Sequence, residues 1–242
     1  MSERPAGDFT DAPPHTLQPR QPMSEQLEQS ATIDYRSELI RKSIHLCSLS
    51  IPLIYSFISR ELALQLLVPL TVAFIAVDLA RYYHPPTAGL FYKLFGSLLR
   101  RHERDHQRKR LNGATNVLIG ATLCVLVFPK LIVITAIAIL IVSDSTSALI
   151  GRRYGRRRFL SKSLEGTVAF FITAVAVVFV TPKIEALPLE YVIGIVGAAA
   201  GAVVESAPLN VDDNISVPVS ICGIMWALYA LLLPSADLMR FA

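Results

Sequence analysis

Charge is scarce in this chain. Asp, Glu, Lys and Arg make up 17% of 242 residues against 52% hydrophobic residues, a balance that excludes an ordinary soluble domain and describes an integral membrane protein. Cysteine is scarce too: Cys47, Cys124 and Cys222 each sit inside an apolar run, with no CxxC and no Cys/His spacing. That excludes redox-pair and zinc-cysteine chemistry and leaves packing as their role. The first 36 residues have no apolar run and are rich in Pro, Gln, Ser and Glu. They are expected to form a disordered tail, not a signal peptide, ahead of a membrane domain over 37–242. GxGxxG is absent, and Gly155 is too far from Lys162 for GxxxxGK[ST], so soluble nucleotide-binding folds are not indicated. The net charge of +4 is small, and no nucleic-acid partner is expected.

What is present is a series of apolar stretches suited to roughly 30 Å of hydrocarbon. They run from about Ser43 to Ser59, Leu62 to Leu79, Thr115 to Lys130, Leu131 to Ile150, Leu164 to Val180, Leu187 to Val204 and Ile215 to Leu233. The expected fold is all-α and polytopic, with about seven transmembrane helices. Between them, TAGLFYKLFGSLLRRH reads as an amphipathic interfacial segment, and Gly194, Gly197 and Gly201 share one helix face suited to close packing. Basic residues are retained on the cytoplasmic side, and alternate loops differ sharply in Lys and Arg. One set carries Arg36, Arg41 and Lys42, then six cations from Arg100 to Arg110, then six more from Arg152 to Lys162. The N-terminus is therefore expected to be cytoplasmic, in a bacterial inner membrane or an internal membrane of a eukaryote.

With this topology every unusual polar cluster falls on the cytoplasmic face: RKSIH, LNGATN, SDSTSALIGRRYG, SKSLEG and ESAPLNVDDN. Asp144 ends an apolar run, and an acid at membrane depth is costly enough to mark a functional site. It shares a helix face with Ser147, Ala148 and Gly151. It precedes Arg152, Arg153, Arg156, Arg157, Arg158 and Lys162, with no acid between Gly151 and Ser163, a density suited to a polyphosphate carried by a divalent cation. Glu205, Asp212 and Asp213 supply further hard oxygen ligands, so Asp144, Asp212, Asp213 and Glu205 are the candidate Mg²⁺ ligands. Arg41 and Lys42 are placed to clamp phosphate, with His45 nearby. Asn112, Thr115 and Asn116 offer hydrogen bonds at a helix N-terminus, and Gly151, Arg152, Lys162 and Ser163 complete the expected phosphate-binding set. His102-Glu103-Arg104-Asp105-His106 matches the H-E-x-x-H signature of zinc proteases, but its cationic flanks repel a dication and no third ligand is spaced for it.

The order RKSIH, ERDHQRKRLNGAT, SDSTSALIGRRYGRRRFLSKSLEG and ESAPLNVDDNISVP resembles the CTP-dependent lipid kinase family that includes dolichol kinase, phytol kinase and the CTP-using diacylglycerol kinase. The resemblance spans roughly Arg36 to Leu233. It implies CTP as phosphoryl donor, Mg²⁺, a membrane lipid alcohol as acceptor, an essential basic pair at Arg41 and Lys42, an acid at Asp144 and a glycine at Gly151. The general base is left between Asp213 and His45. The Asp144 to Gly166 stretch is similar as well to CDP-diacylglycerol synthases. Those end in a His-Gly-Gly-x-x-Asp-Arg-x-Asp type motif, where this chain has ESAPLNVDDN, so phosphatidate cytidylyl transfer stands second. A secondary transporter is a weaker alternative, because no inverted repeat is detectable and the polar groups lie at one face instead of the midplane.

Overall fold

The computed structural model describes residues 39–83, 89 and 111–238, all within the unit Tyr35–Ala242. The polar tail, the amphipathic segment apart from Gly89, and the H-E-x-x-H motif at His102 and His106 lie outside the described residues.

Helical residues 39–47 (α1) break at Ser48 and Leu49 and resume as α2 (Ser50–Phe57). There follow α3 (Arg60–Tyr83), α4 (Gly113–Val127), α5 (Lys130–Tyr154), α6 (Leu164–Val180), α7 (Pro188–Ser206) and α8 (Asp213–Leu232). The protein is all-α and polytopic: α3, α5, α7 and α8 are long and apolar enough to cross a membrane, and α4 and α6 are shorter apolar helices. The cationic connection between α5 and α6 is more ordered than a loop. Strands β1 (Arg158–Phe159) and β2 (Lys162–Ser163) pair antiparallel, with Arg158 opposite Ser163 and Phe159 opposite Lys162.

Local chemistry sets most of these boundaries. The Asn112 side chain accepts from Thr115 N at 3.0 Å and starts α4, Ser163 Oγ accepts from Gly166 N at 3.2 Å and starts α6, and Asp212 accepts from Asn214 N at 3.0 Å and starts α8. These are ordinary N-caps, each satisfying a backbone donor that the helix leaves free. Helix α3 continues past the expected Leu79 to Tyr83 because its last turn carries the Asp78–Arg81 pair. Helix α5 continues past Ile150 to Tyr154, closed by Gly155 N donating to Gly151 O at 3.0 Å.

Helix α5 is the central element. Its residues 132–141 are buried on every face, so it reads as a continuous apolar run instead of a stripe, and it packs against α2, α4, α6, α7 and α8. Helix α3 lies at the periphery, with Leu62, Leu66, Val68, Leu70, Val72, Val77 and Leu79 exposed where lipid would cover them. The glycines of α7 do the packing work expected of them. A Cβ at Gly194 would fall 2.5 Å from Val178 Cγ1, at Gly197 2.8 Å from Met225 Cγ and at Gly201 2.7 Å from Ile221 Cδ1, so α7 lies close against α6 and α8 and a larger residue would have to displace these side chains.

The two ends of the bundle differ in chemistry. At one end side chains close helix termini: Arg60 donates to Val125 O and Leu126 O, Lys130 donates to Ile58 O, and the buried Glu190 accepts from Ile184 N, Glu185 N, Leu187 N and Tyr229 OH. At the other end ionisable side chains from different helices meet one another.

Candidate functional site

Asp144 lies in the fourth turn of α5, 8% exposed, and α1 brings Lys42 against it. Lys42 Nζ donates to Asp144 Oδ2, and His45 Nε2 stands 3.6 Å from the same oxygen. Lys42 and His45 are three residues apart and so face the same way from one helix. The lysine is only 3% exposed, which places both charges out of water, where neither is tolerated without the other. Arg41, next to Lys42, is half-buried.

The second half of the site is built by β2, α7 and α8. Lys162 Nζ donates to Glu205 Oε1 at 2.7 Å and to Asp213 Oδ2 at 2.8 Å. Glu205 is 1% exposed, and its oxygens are satisfied by Lys162, by Ser147 Oγ of α5 at 3.1 Å and by Ser206 Oγ at 3.4 Å, with Thr167 Oγ1 of α6 lying 2.7 Å from the Ser206 hydroxyl. Burial works against the Lys162 ammonium, but Glu205, Asp213 and Asp144 together outweigh it and hold its pKa above the ordinary lysine value. Lys162 is therefore a fixed cation at neutral pH, excluded as a proton acceptor.

Asp144, Glu205 and Asp213 thus come from three helices and reach Lys162 by contact or by charge. The N-terminus of α4 closes the same end: Gly113 lies against Asn214, a Cβ there falling 4.0 Å from Asn214 Nδ2, and a Cβ at Gly120 would fall 2.2 Å from Asn214 O. All five polar clusters therefore meet at one end of the bundle.

Several of the remaining sequence candidates make local contacts. The space beside Gly151 is taken by Ser163 Oγ, 2.8 Å from where a Cβ would stand, so Gly151 and Ser163 join the end of α5 to the start of α6. Asp212 is engaged as the cap of α8, its Oδ1 also accepting from Asn214 Nδ2 at 2.8 Å. Asn112 caps α4, Thr115 is fully buried, Asn116 is 8% exposed, and Arg152 is exposed at the end of α5.

Sequence reasoning missed Asp78. It is fully buried in the last turn of α3, with Arg81 Nη1 3.2 Å from its Oδ1, while its Oδ2 accepts from Asn112 N at 2.7 Å and Thr115 Oγ1 at 2.8 Å. The signal was available, since Asp78 and Arg81 are an acid and a base one helical turn apart at the end of an apolar run.

Among the described residues no three His, Cys, Asp or Glu side chains are grouped so as to hold a metal ion by themselves. The donor set still suits magnesium brought in by a phosphate chain, because Mg²⁺ keeps most of its shell as water and phosphate oxygen and asks a protein for one or two carboxylates.

No protein-family profile matches the chain, and no solved structure does. The chain is 28% identical to an uncharacterized protein of Rickettsia prowazekii over 193 residues, covering 79% of this chain and 94% of that protein. It is 24% identical to CTP-dependent diacylglycerol kinase 1 of Schizosaccharomyces pombe over 175 residues, covering 65% of this chain and 78% of the relative. It is 26% identical to CTP-dependent diacylglycerol kinase 1 of Saccharomyces cerevisiae over 211 residues, covering 76% and 71%.

Proposed function

We propose that this protein is a CTP-dependent lipid kinase that transfers the γ-phosphoryl group of CTP to the hydroxyl of a long-chain lipid alcohol, of the polyprenol, phytol or diacylglycerol class. The observation that carries the reading is the convergence of Asp144, Glu205 and Asp213, from three apolar helices, on Lys42 and Lys162 at one end of a membrane bundle. Distant homology to two yeast CTP-dependent diacylglycerol kinases supports it.

Phosphoryl transfer asks a protein mainly for positioning and charge stabilisation. Lys42 and Lys162, with Arg41 and Arg152 beside them, hold the phosphates. Both lysines are neutralised by carboxylates in the resting site, so nucleotide binding exchanges carboxylate partners for phosphate partners. Asp144 and Asp213, with Glu205 behind them, are the carboxylates that would hold Mg²⁺; Asp212 is committed to its cap. When bound, the ion neutralises charge on the phosphate oxygens. The acceptor hydroxyl oxygen attacks the γ-phosphorus, the bond to the bridging oxygen breaks to release CDP, and the hydroxyl proton goes to Asp213. Its side chain is 34% exposed, against 12% for His45, which faces Asp144. The lipid enters sideways from the bilayer and presents its hydroxyl at the cytoplasmic interface.

The test is a label-transfer assay on purified protein with CTP labelled at either the α- or the γ-phosphate, offered polyprenol, phytol, diacylglycerol and phosphatidate. Label should reach lipid from the γ-phosphate alone, with an alcohol as acceptor. Passage of α-label onto phosphatidate with release of pyrophosphate would replace the kinase by a cytidylyltransferase.

A further inference from the structure

The six cations after Gly151 do not act together. Lys162 turns inward to Glu205 and Asp213, while Arg153, Arg156, Arg157 and Arg158 are exposed around the β1–β2 hairpin. The segment's nearest acid, Glu165, is engaged by the backbone: its carboxylate accepts from Arg156 N at 3.0 Å and Arg157 N at 3.2 Å, which fixes the course of the chain, while Arg156, Arg157 and Arg158 stay exposed.

The tip adds apolar surface. Leu160 occupies the first turn position of the hairpin at φ 51°, a conformation in which glycine is at ease and leucine is not. Leu160 is 56% exposed, and Tyr154 at the end of α5 is 57% exposed. The turn itself is anchored beside Leu160 by Ser161, which donates from both N and Oγ to Ser206 O at 3.0 and 2.7 Å. Since α5 ends and α6 begins on either side, the hairpin sits where the apolar segments stop, at the level of lipid headgroups.

We propose that the β1–β2 hairpin is a docking surface for anionic phospholipid headgroups of the surrounding bilayer, with Arg156, Arg157 and Arg158 pairing with phosphate and Leu160 entering the interface. Charge complementarity selects the occupant: guanidinium forks match phosphate oxygens, clustered basic residues at a membrane surface bind acidic lipids, and the exposed apolar tip that follows the arginines suits a lipid interface.

The experiment uses the full chain in bilayers of about 30% phosphatidylglycerol in phosphatidylcholine, a composition that presents an anionic surface, with retained lipid identified by native mass spectrometry. Wild type should retain phosphatidylglycerol several-fold above its share of the bilayer, and the excess should fall as salt rises from about 0.05 to about 0.5 M, as screening demands. Arg156→Gln with Arg157→Gln and Arg158→Gln should abolish the excess, and replacement of all three by Lys should restore most of it. Independently, in a Trp226→Phe background, Leu160→Trp should be quenched by brominated lipid more strongly in the anionic bilayer than in pure phosphatidylcholine. No excess of anionic lipid in the wild type, or an excess unchanged in the Gln variant, overturns the proposal. Displacement of the retained lipid by CTP also overturns it, by assigning the arginines to the nucleotide.

Discussion

At the residue scale the site is a set of charges that are affordable only in pairs. Asp144 is stable in the bundle because Lys42 neutralises it, and the same carboxylate is the proposed metal ligand. Asp144→Asn keeps the shape but leaves the buried Lys42 without its counter-charge, so stability should fall by about 3–5 kcal/mol, and in the protein that remains folded and inserted turnover should fall more than tenfold. Retention of over a tenth of wild-type turnover, a barrier change under about 1.4 kcal/mol, would take Asp144 out of the reacting site. Asp78 poses a different question, because it pairs with the buried Arg81 and also receives Asn112 N and Thr115 Oγ1 at the start of α4. Asp78→Ala should cost about 3–5 kcal/mol by leaving Arg81 buried without its counter-charge. Adding Arg81→Met should recover part of that, measured as thermal unfolding in detergent.

At the scale of elements, the approach of α4 to α8 is a tight constraint near the site. A Cβ on Gly120 would overlap Asn214 O at 2.2 Å, whereas one on Gly223, also in a helix, meets nothing within 4 Å. Gly120→Ala should therefore push the start of α8 away, costing about 1–3 kcal/mol and lowering activity through displacement of Asp213. Gly223→Ala should leave both stability and turnover intact. Comparing the two substitutions by melting temperature and phosphorylation rate separates helix packing from any general effect of alanine. At Ser48 and Leu49 the helix tightens to bonds three residues apart, Ser48 N to His45 O and Leu49 N to Leu46 O, just after the turn that presents Lys42 and His45 to Asp144.

At the scale of the whole molecule, the bundle has one end where side chains close helix termini and one where ionisable groups meet. Basic residues concentrate at the second, and from positive-inside retention we propose that this end faces the cytoplasm. A cysteine placed at Arg157 should react with an impermeant maleimide from the cytoplasm and one at Pro182 from the opposite side; the reverse pattern would separate the pocket from its nucleotide.

Much of this architecture was legible in the chain itself. Runs such as Leu131 to Ile150 must form helices in lipid because every backbone polar group needs an internal partner, and caps such as Asn112, Ser163 and Asp212 are local signals. Asp144, Lys162, Glu205 and Asp213 stood out for the same reason, being charges bordering apolar segments. What sequence could not decide is which charge meets which. Lys162 lies among six cations in the chain, and only the β1–β2 turn and the close packing of α5, α7 and α8 direct it inward to Glu205 and Asp213 while its arginine neighbours face out. Likewise the glycine and hydroxyl expected to cradle a ligand, Gly151 and Ser163, fill each other's space, and Asp78 is revealed as the acceptor that holds the start of α4. Composition and periodicity act along the chain and determined the helices, whereas pairing between residues about 40 to 100 positions apart depends on how helices pack, which the tertiary structure alone decided.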